Sequence, residues 1–182
     1  MFQEKLENYT FLVKKYFSFL EKEFNLVYYY AQETGKPHTR DHGLITCYYN
    51  KNLRVFIGWS EEEKSLVITI RFDNSNLSKN QKYAYFEPFI EFLTQEEPIV
   101  PYIKEKTSIS TIKSVIDKRT ILFSQGLEPV LKKLAEKLQK NFKILQSVSQ
   151  EQIKSYHLWM VSEKISHKKA LTPSISKKVI TF

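Results

Sequence analysis

Tyr9, Leu12, Val13, Tyr16, Phe17, Leu20 and Phe24 recur at three- and four-residue steps near the start of the chain, with Glu and Lys between them. That spacing gathers them on one stripe of an amphipathic helix and predicts a first helix over residues 6–24. From Leu26 the period changes. Aromatic and β-branched runs at 26–31, 44–49, 53–59 and 66–72 predict four strands. In the third run Leu53, Val55, Ile57 and Trp59 alternate with Arg54, Phe56 and Gly58, and in the fourth Leu66, Ile68, Ile70 and Phe72 alternate with Val67, Thr69 and Arg71. The connections Asn50-Lys51-Asn52 and Ser60-Glu61-Glu62-Glu63-Lys64 are too short for a parallel return, which needs about a dozen residues or more. An antiparallel meander follows, with one apolar face for the first helix to cover.

After Asn80 the helical period returns. Tyr85, Phe86, Phe89, Ile90 and Leu93 form one stripe, broken by Glu97-Pro98-Ile99-Val100-Pro101, the best candidate for a subdomain boundary. Three further helical stripes lie beyond: Ile109, Ile112, Val115 and Ile116 with Leu122; Leu127, Leu131, Leu134, Leu138 and Phe142; and Ile153, Tyr156, His157, Met160 and Ile165. Residues 168–182, with Pro173 and scattered Ser and Lys, are expected to be a flexible tail. The expected fold is α+β: an N-terminal helix packed on a four-stranded antiparallel meander, followed by a helical C-terminal half. Residues 1–97 form its first part and residues 98–167 a basic helical part of the same or an appended domain.

With 182 residues, 42% of them hydrophobic and 26% charged, the chain can bury a full core of its own. Four Gly argue against a glycine-rich nucleotide loop, and no cofactor is implied. Cys47 is the only cysteine, so neither an intrachain disulfide nor a multi-thiolate zinc site can form within one chain. The opening Met1-Phe2-Gln3-Glu4-Lys5-Leu6-Glu7 lacks the basic start of a secretory signal, and no apolar run approaches the roughly 18 residues of a membrane span. The cytoplasm is the expected location.

Charge changes this picture. Residues 1–103 hold 12 Lys and Arg against 14 Asp and Glu, a net of −2, whereas residues 104–182 hold 16 against 6, a net of +10. Lys132, Lys133, Lys137 and Lys140 lie opposite the leucine stripe of one helix, and Lys118 and Arg119 add to the field. These six residues are the candidate basic surface. It suits an acidic protein partner or non-specific contact with nucleic acid phosphates. Arg119 is the only arginine of the basic half, which disfavours base-specific readout.

Candidate chemistry concentrates at His38-Thr39-Arg40-Asp41-His42, where two imidazoles and a carboxylate can ligate a metal or pair a base with an orienting acid. The spacing matches no strong motif, and the preferred reading is a solvated hairpin loop with Arg40 and Asp41 pairing at the surface. Cys47, within a strand, reads as a buried, inert thiol. His157, beside Leu158 and Trp159 on a helical stripe, reads as a core or interface residue. Tyr28, Tyr29, Tyr30, Tyr48 and Tyr49 present rings to both faces of two strands. Tyr29, Tyr48 and Tyr49 are the candidate aromatic surface if the second face of the sheet is open; if later helices cover that face, the rings are core.

The run Tyr16-Phe17-Ser18-Phe19-Leu20-Glu21-Lys22-Glu23-Phe24-Asn25-Leu26, a helix ending in Phe-x-Phe-Leu-x-x-Glu-Phe ahead of a meander, resembles the opening of small uncharacterised bacterial domains. These include immunity-type proteins of polymorphic toxin systems. The resemblance spans about the first 70 residues and carries no functional residue over. It implies a non-enzymatic cytoplasmic protein that neutralises a partner through its surface. An acidic target suits the basic half better than a nuclease would. The leading expectation is a non-catalytic protein-binding module, of immunity or adaptor type, acting through the basic helices. A nucleic-acid-associated protein using the same lysines and an enzyme centred on His38, Asp41 and His42 are the competing classes.

Overall fold

The strands pair in the order in which the chain lays them down. The computed structural model describes residues 2–35, 42–73, 76–102 and 108–163. It contains one antiparallel sheet in the order β1-β2-β3-β4-β5. β1 (Val27–Thr34), β2 (Gly43–Tyr49), β3 (Leu53–Ser60) and β4 (Ser65–Phe72) are the four expected strands. The fifth, β5 (Tyr83–Tyr85), was hidden in the sequence because its three residues merge with the helical stripe that follows. The turn from β2 to β3 is fixed by Asn50, whose Oδ1 accepts the N–H groups of Asn52 and Leu53 at 2.9 and 3.0 Å.

The single helix expected over 6–24 is instead two: α1 (Phe2–Phe17) and the short α2 (Phe19–Lys22), separated at Ser18. Phe17, Phe19 and Leu20 are all buried. One straight helix would point residues 17 and 19 to opposite sides, so the break lets all three enter the core. Asn25, with φ 55°, sits in the left-handed region that asparagine tolerates better than most residues, and turns the chain into β1.

The helical stripes beyond Asn80 fold as α3 (Phe86–Thr94), α4 (Ile109–Leu122), α5 (Leu127–Ser147) and α6 (Gln150–Ser162). Ser108 caps α4 by accepting the Thr111 N–H, and Ser149 and Gln152 form a reciprocal capping box on α6. Gly126 precedes α5 at φ 92°. Space around it is open, so the backbone angle rather than crowding calls for glycine there.

The basic helical part docks on the sheet rather than extending from it. α5 lies against α1, the Phe24 and Phe142 rings meet at 4.3 Å, and Leu131, Leu134, Leu138 and Phe142 share one buried core with Val13, Phe17, Tyr48, Val55 and Ile68. Polar contacts edge the same seam. Glu128 accepts from Lys15 at 2.8 Å and from Tyr16 at 2.5 Å, and Gln139 Nε2 donates to Glu23 at 2.6 Å. On the far side α6 packs on α3, where the Phe89 and Tyr156 rings lie 4.7 Å apart. The stretch at 97–101 is strapped down. Val100 is buried and donates its N–H to Glu87 at 2.9 Å, while Lys137 donates to the Glu97 carbonyl at 2.6 Å. The expected tail at 168–182 and Ile165 lie outside the described residues.

Candidate protein-binding surface

Strand register sorts the sheet into two faces. Tyr48 pairs with Val55 and Val55 with Ile70, while Cys47 pairs with Phe56 and Phe56 with Thr69. Neighbours in sequence point to opposite sides of a sheet. Leu44, Tyr48, Val55, Ile57, Leu66, Ile68 and Ile70 therefore look toward the helices and join their core. Ile45, Cys47 and Phe56 look the other way and form a separate small cluster, flanked by Tyr30 and Tyr83. Among the described residues, every buried apolar side chain of the helices belongs to the first cluster and none to the second.

The second face is aromatic. A β-bulge shifts the register of β1 between Tyr28 and Tyr30, which leaves Tyr29 as the extra residue. Its ring stands 5.2 Å from Tyr30 and 5.2 Å from Tyr49, on the side away from the helices. Tyr29 is 59% exposed, Val27 56% and Tyr49 37%, so the rings stand up from the corner where β1 and β2 meet. Farther along, Asp73 clamps two arginines, its Oδ2 3.0 Å from Arg54 Nε and its Oδ1 2.9 Å from Arg71 Nε. The Arg71 guanidinium sits 5.6 Å from the centre of the Tyr83 ring.

Burial shifts two groups on this face. Burial pushes the Cys47 thiol up to about 12, against the pull of Arg54, and pushes the Tyr30 hydroxyl up to about 12. At neutral pH the thiol is protonated and buried, and a nucleophilic thiolate does not form. The surface offers phenol hydroxyls, apolar ring bodies and a clamped arginine pair.

The expected basic surface is only partly assembled. Lys132, Lys133 and Lys118 are exposed. Lys137 is buried instead, its Nζ 3.0 Å from Glu87 Oε1 in an ion pair between α5 and α3. It sits on the core-facing stripe because Val130, Leu134, Lys137 and Asn141 follow one another at steps of four, three and four. Those steps were readable in the sequence. Lys140 is exposed but pairs with Glu96 at 2.6 Å, and that contact holds the Glu96 carboxyl below the usual range. Arg119 is half-buried and donates its Nε–H to the Pro101 carbonyl at 2.8 Å. The six residues do not form one free cationic patch.

The expected aromatic surface is also redrawn. Tyr29 and Tyr49 stand on the open face, but Tyr48 is fully buried in the helix-side core, with its ring edge-on to Tyr28 at 5.5 Å. Sequence reasoning passed over Val27 and Tyr83 and named Tyr30 without placing it in the candidate surface; the bulge that brings Tyr29 beside Tyr49 has no sequence signature of its own.

Of the reactive loop, His38 and Asp41 lie outside the described residues. His42 contacts the Glu33 carboxylate across the β1–β2 connection. Among the described residues no group of three or more His, Cys, Asp and Glu is placed to hold a metal ion. His157 Nε2 donates to the Gln81 carbonyl at 3.2 Å, which ties α6 to the approach of β5; burial holds its imidazole below the ordinary histidine range. No helix among the described residues is long and apolar enough to cross a membrane. No protein-family model matches the chain, and neither a curated protein nor a solved structure matches it.

Proposed function

We propose that this chain is a non-catalytic protein-binding module, of immunity or adaptor type, whose contact surface is the tyrosine corner of the sheet. The observation that carries this reading is the exposed cluster of Tyr29, Tyr49 and Val27 on a face that no described helix covers. Rigid aromatic side chains on strands offer a large contact area at little entropic cost, and tyrosine is enriched among residues that dominate interface energies. The lysines of α4 and α5 play a supporting role. Their net charge raises the rate of encounter with an acidic partner, while the rings supply the contact. Nucleic acid binding through the six basic residues is the weaker reading, because Lys137 is buried and Lys140 is paired.

The test is isolation of the tagged chain from its own cells with and without nuclease treatment, with the wild type beside Tyr29→Ser/Tyr49→Ser and Lys132→Glu/Lys133→Glu. A stoichiometric protein should accompany the wild type and the lysine variant and be lost from the tyrosine variant. Recovery of nucleic acid alone, or a partner lost only from the lysine variant, would overturn the assignment to this face.

A further inference from the structure

β1 closes the sheet at one end, and among the described strands only β2 pairs with it. The opposite end is protected differently, since β5 is three residues long and α6 is bonded beside it through His157 and Gln81. β1 has eight residues. An edge of that length is a template for a further strand. Above it, on the helix side, Glu7, Phe11, Lys14, Tyr28 and Ala31 are among the residues that line an open groove of about 400 Å³ between α1 and the strand. Phe11 is 64% exposed there, an apolar ring held at the lip of the groove.

We propose that the occupant of this edge is β1 of a second copy, so that two chains join by a two-fold axis through Ala31 into one continuous sheet. The register follows from the bulge. Relative to β2, the positions of β1 run Val27, Tyr28, Tyr30, Ala31, Gln32, Glu33 and Thr34, with Tyr29 extra. Antiparallel strands place directly opposed side chains on the same face, so the two-fold must relate positions of matching parity. Centred on Ala31, the pairing sets Tyr30 opposite Gln32 and Tyr28 opposite Glu33, and spans the whole strand.

Complementarity between Lys14 and Glu33 favours this register, against the charges of Glu7, which also lines the groove, and of Glu21, whose field reaches Tyr28. Lys14 Nζ lies 4.1 Å from the centre of the Tyr28 ring and, among the described residues, forms no ion pair. The second copy's Glu33 arrives opposite Tyr28 on the same face, next to that ammonium, and the symmetry makes the contact twice. A carboxylate accepts from more than one donor, so Glu33 keeps its contact with His42. The small Ala31 at the axis lets the strands approach while the two Phe11 rings, which flank Ala31 in each groove, come together above it. The +10 half of each chain does not oppose this contact through its own residues, because α1 and β1 belong to the part of the sequence with a net charge of −2. Edge pairing leaves the sheet face that carries Tyr29 and Tyr49 uncovered, while the second copy's Thr34 comes beside Val27 at its margin.

Sedimentation velocity of the full chain over a range of concentrations provides the test. The wild type should show a monomer–dimer equilibrium. Lys14→Glu alone and Glu33→Lys alone should each raise the dimer Kd by about tenfold or more, since each reversal creates two like-charge contacts. Mixing the two variants in equal amounts should restore dimerisation, because both contacts of the mixed dimer again join an acidic side chain to a basic one. A wild type that stays monomeric, a dimer whose Kd neither reversal changes, or a mixture that does not recover would each overturn the proposal.

Discussion

The two faces of the sheet are made from the same strands, yet they are built to different standards. Toward the helices, Tyr48, Val55, Ile57 and Ile70 are fully buried beneath elements drawn from both ends of the chain. On the other side three residues, Ile45, Cys47 and Phe56, are shielded by flanking rings and not by any described helix. The first face is closed by long-range packing, the second by side chains lying along its own surface. A face of the second kind can change its residues without loosening the fold, and binding specificity evolves most freely there.

The sharpest way to break this contrast is to cut two adjacent residues of β2. Tyr48→Ala should cost about 3–5 kcal/mol, as for other buried aromatic truncations, whereas Tyr49→Ala should cost less than about 1 kcal/mol. Urea denaturation of both variants would measure the difference. Equal losses would mean that the second face is packed as firmly as the first.

The next largest effect concerns the charges enclosed on the helix side. Removing one partner of a buried pair leaves the other unsatisfied, so Lys137→Met should cost about 3–5 kcal/mol near neutral pH. The loss should depend on pH in a particular direction. Burial raises the Glu87 carboxyl above its ordinary range, opposed by Lys137 and the Val100 N–H. A carboxyl raised on folding favours the folded state while it is protonated and loses that contribution as pH rises through its folded value. Without Lys137 the upward shift grows, so the deficit of the variant should be largest near pH 7 and shrink toward about pH 4, where the carboxyl is neutral. Denaturation at both pH values would show it, and a deficit independent of pH would place the cost in the lost bond from Lys137 Nζ to the Glu97 carbonyl.

A smaller effect refines the picture of the covered face. The Tyr48 hydroxyl is buried and meets no hydrogen-bond partner among the described residues, while the Tyr9 hydroxyl donates to the Ile57 carbonyl at 2.5 Å. Tyr48→Phe should be neutral or stabilising by up to about 1 kcal/mol, and Tyr9→Phe destabilising by about 1–2 kcal/mol. Thermal melts of the two conservative variants would separate a satisfied buried hydroxyl from an unsatisfied one.

Much of this architecture was legible in the chain. Aromatic and β-branched runs located β1 to β4, with a period of two in β3 and β4, and periods of three and four located α3 to α6, because burial on one face imposes those repeats on the residues themselves. β5 was not legible, since three residues are too few for a period and Tyr85 also continues the stripe of α3. Nor was the interruption at Ser18, which follows from what the core requires of Phe17 and Phe19 rather than from a breaker residue. The candidate site was half legible. Tyr29 and Tyr49 stood out as an aromatic surface, but their separation from Tyr48 depends on register and a bulge, which are properties of paired strands. The lysines of α5 misled for a related reason: a long aliphatic stem lets Lys137 occupy a core position when a carboxylate waits at its end.

The seam between α1 and α5 also sets the order of events at the birth of the molecule. Lys15 and Glu128 stand 113 residues apart in the chain, and the rings of Phe24 and Phe142 close the core just beyond them. The meander, with every strand beside its neighbour, can form as soon as it is made. The part of its helix-side face that α1 and α3 leave open then waits for α5, and at about 5–20 residues per second that wait lasts for seconds on the ribosome. The strip that α5 will cover is an exposed apolar surface during that interval, and a chain cut short ahead of α5 would keep it so permanently, a substrate for chaperones rather than a fully folded protein.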